Sequence, residues 1–287
     1  MDPDPMPFVE GSFTYHGHRI SYDVHGTGDR VLVLVHGLLM NRRMYDELAP
    51  EIASRGYRVV TVDLLGHGRS DRPADRQIYS MTAFADQVLA LLDHLDLEAP
   101  VVGGTSLGAN VGLEFAAHHP DRAGALFIEM PVLEDALLGA ALIFTPVLLG
   151  LRLGSPLLKG VAALTRQIPR TNYRVDIGLD WIRQDPDPSR AVHEGILYGR
   201  TAPTAEERRE LDQPALVVGH PNDPLHPFSD ADMLVEDMPN ARLVDANSIV
   251  EWRLTPERLT NELAGFLDEV YAEGDARGER PARAARG

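Results

Sequence analysis

The pentapeptide Gly104-Thr105-Ser106-Leu107-Gly108 sets one hydroxyl between glycines, just after a short apolar run at 101–103 and just before a helical pattern at 109–118. A serine at a sharp strand-to-helix turn needs small neighbours so that the two elements can approach closely. The helix that starts there aims backbone N–H groups at developing negative charge. The chemistry this serves is nucleophilic attack by Ser106. Read alone, five such residues are also a glycine-rich turn with a capping serine; their place between strand and helix favours the nucleophile. A second cluster, Gly219-His220-Pro221-Asn222-Asp223-Pro224-Leu225-His226-Pro227, lies at the end of another apolar run, 215–219. It offers a carboxylate, Asp223, able to fix the tautomer of a histidine and stabilise its charged form.

Positioning such groups requires a rigid frame, and the chain supplies one. Short valine- and leucine-rich runs at 31–35, 58–62, 101–103, 125–128, 215–219 and 242–244 are almost continuously apolar, as expected of strands buried on both faces of a parallel sheet. Helical patterns at 44–55, 82–95 and 109–118 alternate with them, which predicts α/β architecture with right-handed crossovers. Residues 12–16 and 19–25, separated by Gly17-His18, predict an antiparallel hairpin on one edge. Between about 131 and 211 no strand is expected, and a structureless loop of that length would be improbable. An inserted helical cap is the better expectation. The predicted organisation is therefore a core of 8–130 and 211–273, a cap at 131–210, and loose tails at 1–7 and 274–287.

With these motifs in place the chain resembles the α/β-hydrolase family over nearly its whole length, from about Phe13 to Val270. Gly104–Gly108 matches the family's G-x-S-x-G nucleophile elbow. His36-Gly37-Leu38-Leu39 looks like its oxyanion loop, Asp63-Leu64-Leu65-Gly66-His67-Gly68-Arg69-Ser70 matches its D-x-x-G-x-G-x-S turn, and the stretch through Asp223 to Pro227 resembles its acid segment. The resemblance implies a mostly parallel eight-stranded sheet flanked by helices, with an inserted helical cap. It implies an oxyanion hole from the backbone N–H groups of Leu38 and Leu107, structural roles for His36 and Asp63, and Asp223 as the triad acid.

One family feature is missing. The histidine normally follows the last strand, some seven residues before the proline that begins the final helix. Counting back from Pro256 puts Ile249 in its place, and none of the 61 residues after His226 is histidine. A serine hydroxyl without an adjacent base is a poor nucleophile. Four groups are candidates to fill the gap. His226 lies three residues past Asp223 on a loop that the fold sends to the active-site end of the sheet. His220 shares that loop. Glu251 sits beside Trp252 where the histidine should have been, with an ion pair to Arg253 as its ordinary alternative. Glu129, at the end of the run 125–128, lies where some family members keep an alternative acid. His118-His119 is expected to cap its helix.

The cap's first half is dominated by Leu, Ala, Val and Ile, a lining suited to acyl chains or other small hydrophobic substrates rather than sugars or phosphates. Its longest uncharged stretch, 136–151, is shorter than a membrane span and carries Pro146, so buried or lid helices are expected there. His193, Tyr198 and Arg200 could supply polar contacts. The net charge of −16 argues against nucleic acid and, unless a local patch overrides it, against an anionic membrane surface. The absence of cysteine removes thiol nucleophiles, disulfides and Cys-ligated metals, and fits a cytoplasmic protein. No motif calls for a metal, nucleotide or other cofactor. The leading expectation is a serine hydrolase acting on a small hydrophobic ester. The alternatives are a hydrolase-like protein that binds an apolar ligand, and a triad-free lyase, isomerase or acyl transferase. Oligomeric state is left open.

Overall fold

A computed structural model describes residues 8–169 and 173–277. In chain order the elements are β1 Phe8–Tyr15, β2 His18–His25, β3 Val31–Val35, α1 Leu48–Ser54, β4 Arg58–Asp63, α2 Met81–His94, β5 Val101–Thr105, α3 Leu107–His118 and β6 Ala125–Glu129. There follow α4 Ala136–Leu153, α5 Ser155–Thr165, α6 Tyr173–Ile182, α7 Pro186–Leu197, α8 Ala205–Arg209, β7 Ala215–Gly219, α9 Phe228–Asp237, β8 Ala241–Asp245, α10 Glu251–Leu254 and α11 Glu257–Arg277. The strands form one eight-stranded sheet in the order β1-β2-β4-β3-β5-β6-β7-β8. Strands β3 to β8 run parallel, while β1 and β2 are antiparallel to each other and β2 is antiparallel to β4.

The continuous apolar runs arise because each central strand has two buried faces. In β3, Val31, Val33 and Val35 pack with α2, α3 and α9, while Leu32 and Leu34 pack with α1 and α11 on the other side. The hairpin turns at His16-Gly17, both with positive φ, and its first strand begins at Phe8, four residues before the predicted start. The last helix runs to Arg277, so it takes up four residues that the sequence assigned to the tail; 1–7 and 278–287 lie outside the described residues.

Between β6 and β7 there are five helices and no strand among the described residues. Helices α4 to α7 pack on one another, whereas α8 packs on α3 and α9, anchored by the buried Arg208 side chain to Asp237 at 2.9 Å. Of the buried or lid helices expected at 136–151, the structure has a helix that lies over the Ser106 cavity and is mostly not buried. Helix α4 extends over 18 residues, is apolar and long enough to cross a membrane by length and composition, and buries only Ala136 and Leu148. Its apolar content exceeds what one face of a cap helix can bury.

Candidate active site

Ser106 stands between the end of β5 and the first residue of α3, with φ 55° and ψ −109°. A non-glycine residue in that region is strained by roughly 1–3 kcal/mol, so the surroundings must hold it there. Two features do. The Ser106 N–H donates to the Glu129 carbonyl at 2.8 Å, tying the turn to β6. Gly104 and Gly108 let the end of β3 come so close that a Cβ on either would overlap the Val35 carbonyl. Just before the serine, the Thr105 hydroxyl donates to the Glu129 carboxylate and meets the Tyr45 hydroxyl at 3.1 Å, which itself donates to the Val35 carbonyl.

The loop after β7 brings the other two groups. Asp223 Oδ1 accepts the backbone N–H of Leu225 at 2.8 Å and of His226 at 3.1 Å, curling the loop back on itself. Its Oδ2 stands 2.9 Å from His226 Nδ1, and His226 Nε2 stands 2.9 Å from Ser106 Oγ. An ionised carboxylate only accepts, so the ring proton lies on Nδ1. Nε2 then presents its lone pair to the serine hydroxyl. Burial pushes the Asp223 carboxyl up, but the His226 ring and the two backbone N–H groups outweigh it and hold the group at about 2. Asp223 and His226 are each about one-tenth exposed, enough shielding to strengthen the pair. Base and acid thus come from one loop, three residues apart, and meet the serine from a distant part of the chain.

On the other side of Ser106, the loop after β3 is set by His36. Its Nε2 accepts the Leu64 N–H at 3.1 Å, so its Nδ1–H donates to the Gly37 carbonyl at 2.8 Å. Burial lowers the His36 pKa, consistent with a neutral ring locked into structure. Leu39 takes φ 57°, and Gln184 of the cap donates to its carbonyl. Neither the Leu38 nor the Leu107 amide N–H has a hydrogen-bond partner among the described residues. Both residues line the same cavity as Ser106. Asp63, buried beneath this loop, accepts the N–H groups of Arg42 at 2.7 Å and Arg69 at 2.8 Å and pairs with the Arg42 guanidinium. It shapes loops and does not reach the serine.

The cavity at Ser106 measures about 150 Å³. Its roof is the inner face of α4 (Leu137, Ala140, Ala141, Phe144) together with His193, Ile196 and Leu197 of α7. Asn110, which the sequence reading passed over, follows Ser106 by four residues, one helical turn along the same face. Its side chain accepts the Val132 N–H at 3.0 Å and donates to the carbonyls of Val132 and Thr201, clamping both ends of the helical insertion to α3. That i, i+4 spacing was a readable signal. A larger cavity of about 890 Å³, lined among others by Met40, Arg42, Arg72 and Gln184, touches none of Ser106, Asp223 and His226. Among the described residues no group of three or more His, Asp or Glu is placed to hold a metal ion.

The sequence profile of the alpha/beta hydrolase fold matches residues 30–154, the stretch carrying the loop at 36–39, the Asp63 turn and the strand-to-helix turn at Ser106. The chain has the α/β-hydrolase fold and is similar to that family over this stretch. It is 36% identical over 115 residues to an uncharacterized protein of Mycobacterium tuberculosis, covering 40% of this chain and 33% of that protein. It is also 36% identical over 110 residues to a putative non-heme haloperoxidase of Mycobacterium phage D29, covering 38% of each. The matches thus span little more than a third of these relatives' length. Among solved structures, the enol-lactonase of Burkholderia xenovorans superposes with a TM-score of 0.72 at 21% identity, over 90% of this chain and all of that one.

Ile249, which counting back from Pro256 puts where the family's histidine is expected, is exposed, in a loop held by Glu251. Glu251 pairs with Arg258 at 2.7 Å, not with the expected Arg253, and also accepts from Asn247. Arg258, opposed by burial, holds Glu251 at about 2, so it is no proton carrier near neutrality. His220 is engaged elsewhere as well: its Nδ1–H donates to the Ser248 carbonyl at 3.0 Å and its Nε2 lies 3.2 Å from Glu129. Of the four candidates for the missing base, His226 is the one within hydrogen-bond distance of Ser106 Oγ. Among the other polar residues, His193 lines the cavity, Tyr198 is exposed, and Arg200 is held by Glu114 and Glu207. His118 turns back to the Glu114 carbonyl as a helix-end residue should, and His119 meets Asp86.

The buried Glu129–His220 pair has a measurable signature. Burial works to lower the His220 pKa, but Glu129 more than compensates and the net shift is upward from 6.5. Burial likewise raises Glu129, yet Arg253, His220 and Thr105 bring it below 4.5. A raised folded-state value means the histidine's contribution is complete below 6.5 and fades as pH rises through that raised value. The depressed carboxylate contributes above 4.5 and loses its effect in more acid solution. Urea midpoints measured from pH 6.5 to 9, where the buried histidines with lowered pKa values are neutral in the fold and mostly neutral in the unfolded chain, should therefore fall toward the alkaline end, and Glu129→Gln should flatten the slope. An unchanged slope in that variant would remove the pair as its source.

Proposed function

We propose that this chain is a serine hydrolase of small hydrophobic esters or related acyl compounds. Ser106 is the nucleophile, His226 the general base and then acid, Asp223 its orienting carboxylate, and the Leu38 and Leu107 amides the oxyanion hole. What carries this reading is the unbroken hydrogen-bond line Asp223–His226–Ser106 opening beside an apolar cavity. In the first half-reaction Ser106 Oγ bonds to the acyl carbon as its proton passes to His226 Nε2. The carbonyl electron pair moves onto oxygen, facing the two amides. Collapse expels the alcohol oxygen, which takes the proton from His226. Water, deprotonated by the same ring, then attacks the acyl carbon, and collapse releases the acid while Ser106 Oγ takes that proton back from His226. Two preorganised donors at the oxyanion are worth a few kcal/mol of barrier.

The cavity limits the acyl group. About 150 Å³ matches a void that holds benzene, so a short or single-ring acyl group fills the part of the cavity beside Ser106. Ala141→Phe, which fills the roof, should lower kcat/KM for a butyrate or benzoate ester at least tenfold while sparing the acetate. Equal loss on all three would mean that the acyl group binds elsewhere.

The reading is tested by intact mass after incubation with a fluorophosphonate. Wild type should gain one adduct, absent in Ser106→Ala and strongly slowed in His226→Ala. Loss in Ser106→Ala alone would keep the nucleophile and remove His226 as base. A folded wild type without adduct would overturn the proposal in favour of a non-hydrolytic, ligand-binding protein.

A further inference from the structure

Helices α4 and α5 expose an apolar surface of unusual size for a protein face meeting water. On α4, Leu138, Leu142, Leu149 and Leu153 are 54–77% exposed, and on α5 Leu157 and Leu164 are 73% and 66% exposed. Their spacing puts them on outward faces: 138 and 142, then 149 and 153, each recur at i+4, as expected of one helical stripe. The opposite side of α4 lies over the Ser106 cavity and on α7, so the exposure is not a helix awaiting its core partner.

Charge distribution says what covers this face. From 136 to 175 the sequence holds five Arg or Lys and no Asp or Glu. The whole insertion at 131–210 carries ten acidic and ten basic residues, so the full −16 of the chain resides elsewhere. We infer that the α4–α5 face docks on a lipid surface, lying in the interfacial region with the acidic core held away from it. A second copy of the chain is the weaker match, because pairing would bring two strongly acidic cores together. A protein partner normally finds hydrogen-bonding groups at an interface, and this face offers almost none. Arg152 and Lys159 border the apolar stripe; Lys159 pairs with Asp187 of α7 in an exposed bridge that an anionic headgroup can exchange, while Arg152 holds the buried Glu194 and keeps its own guanidinium partly exposed. Helix α4 lies on the lipid rather than through it. A spanning α4 would have to leave Phe144, Ala141 and Ala140 out of the cavity roof and break the Arg152–Glu194 pair.

The docking does not depend on the hydrolase reading, so its test uses Ser106→Ala as well as wild type. Both should co-float with phosphatidylcholine vesicles, and more strongly when phosphatidylglycerol is added. The triple variant Leu138→Glu, Leu142→Glu, Leu157→Glu should lose at least tenfold in partitioning with an unchanged melting temperature, since all three side chains are exposed. Val9→Glu, an equally exposed apolar residue on the far edge strand, is the control and should float like wild type. Failure of wild type to float on either vesicle would overturn the proposal. So would equal loss in Val9→Glu, or a dimer in solution that the triple variant dissociates. The fluorophosphonate adduct retained by the non-floating triple variant would show the docking and the chemistry to be separable.

Discussion

His226→Ala is expected to lower kcat on a chromogenic acetate ester by about four to six orders of magnitude, down to the level of Ser106→Ala. The comparison that sets the scale is a serine protease, where removing the histidine of a working triad costs on the order of a millionfold and leaves only binding and oxyanion effects. The geometry supports a loss of that order. Ser106 Oγ has its hydrogen-bond contact with His226 Nε2 at 2.9 Å, and the remaining ionisable candidates are tied up, Glu251 by Arg258 and His220 by Ser248 and Glu129. The two substitutions act on one unit, so their effects should not add: the double variant should be no slower than either single one. Asp223→Asn should cost less than His226→Ala, because the ring remains near the serine but loses the acceptor that fixes its tautomer. A His226→Ala enzyme within tenfold of wild type would sink the relay.

Much of this arrangement was legible in the sequence, for reasons that differ by element. The sheet was readable because strands buried on both faces must be apolar throughout, as Val31–Val35 and Ala215–Gly219 are. The elbow was readable because Gly104 and Gly108 serve a backbone approach to Val35 that no other residue permits. The proposed base was legible only as a set of candidates. Whether a histidine three residues past an aspartate turns toward that aspartate depends on loop conformation, and here the two amides donated to Asp223 Oδ1 decide it. Sequence proximity misled for Glu251, whose partner is Arg258, one and a half helical turns further on, rather than neighbouring Arg253. Composition left α4 open between a buried and a lid helix: apolar content reports what can leave water, not whether the rest of the fold has a surface to receive it. The sequence did carry the clue to that outcome, in the acid-free run from 136 to 175.

Arg42→Met is expected to destabilise the protein by about 3 kcal/mol or somewhat more, the largest stability loss we predict for one surface-independent substitution. The guanidinium is 4% exposed and lies between two carboxylates that are themselves buried, Asp23 at 2.6 Å and Asp63, which is almost wholly enclosed. Removing one member of such a cluster leaves charge stranded in a poor dielectric, which typically costs 3–5 kcal/mol. The figure belongs at the lower end because Asp63 keeps the Arg42 and Arg69 backbone N–H groups. Methionine retains most of the volume, so the loss is electrostatic rather than a cavity. With a urea slope of about 3 kcal/mol/M, the midpoint should fall by roughly 1 M. The effect should also be felt at the site. The Asp63 turn leads into Leu64, whose N–H holds His36, and His36 sets the loop carrying the Leu38 amide. Adding Asp23→Asn removes one stranded charge, one whose carboxylate accepts from the Arg42 side chain and not from the backbone, so the double variant should be no less stable than Arg42→Met alone, a coupling of opposite sign to simple additivity. A single variant that unfolds within 0.3 M of wild type, beyond the roughly 10–15% error of extrapolated stabilities, would mean that the cluster is already satisfied without its arginine.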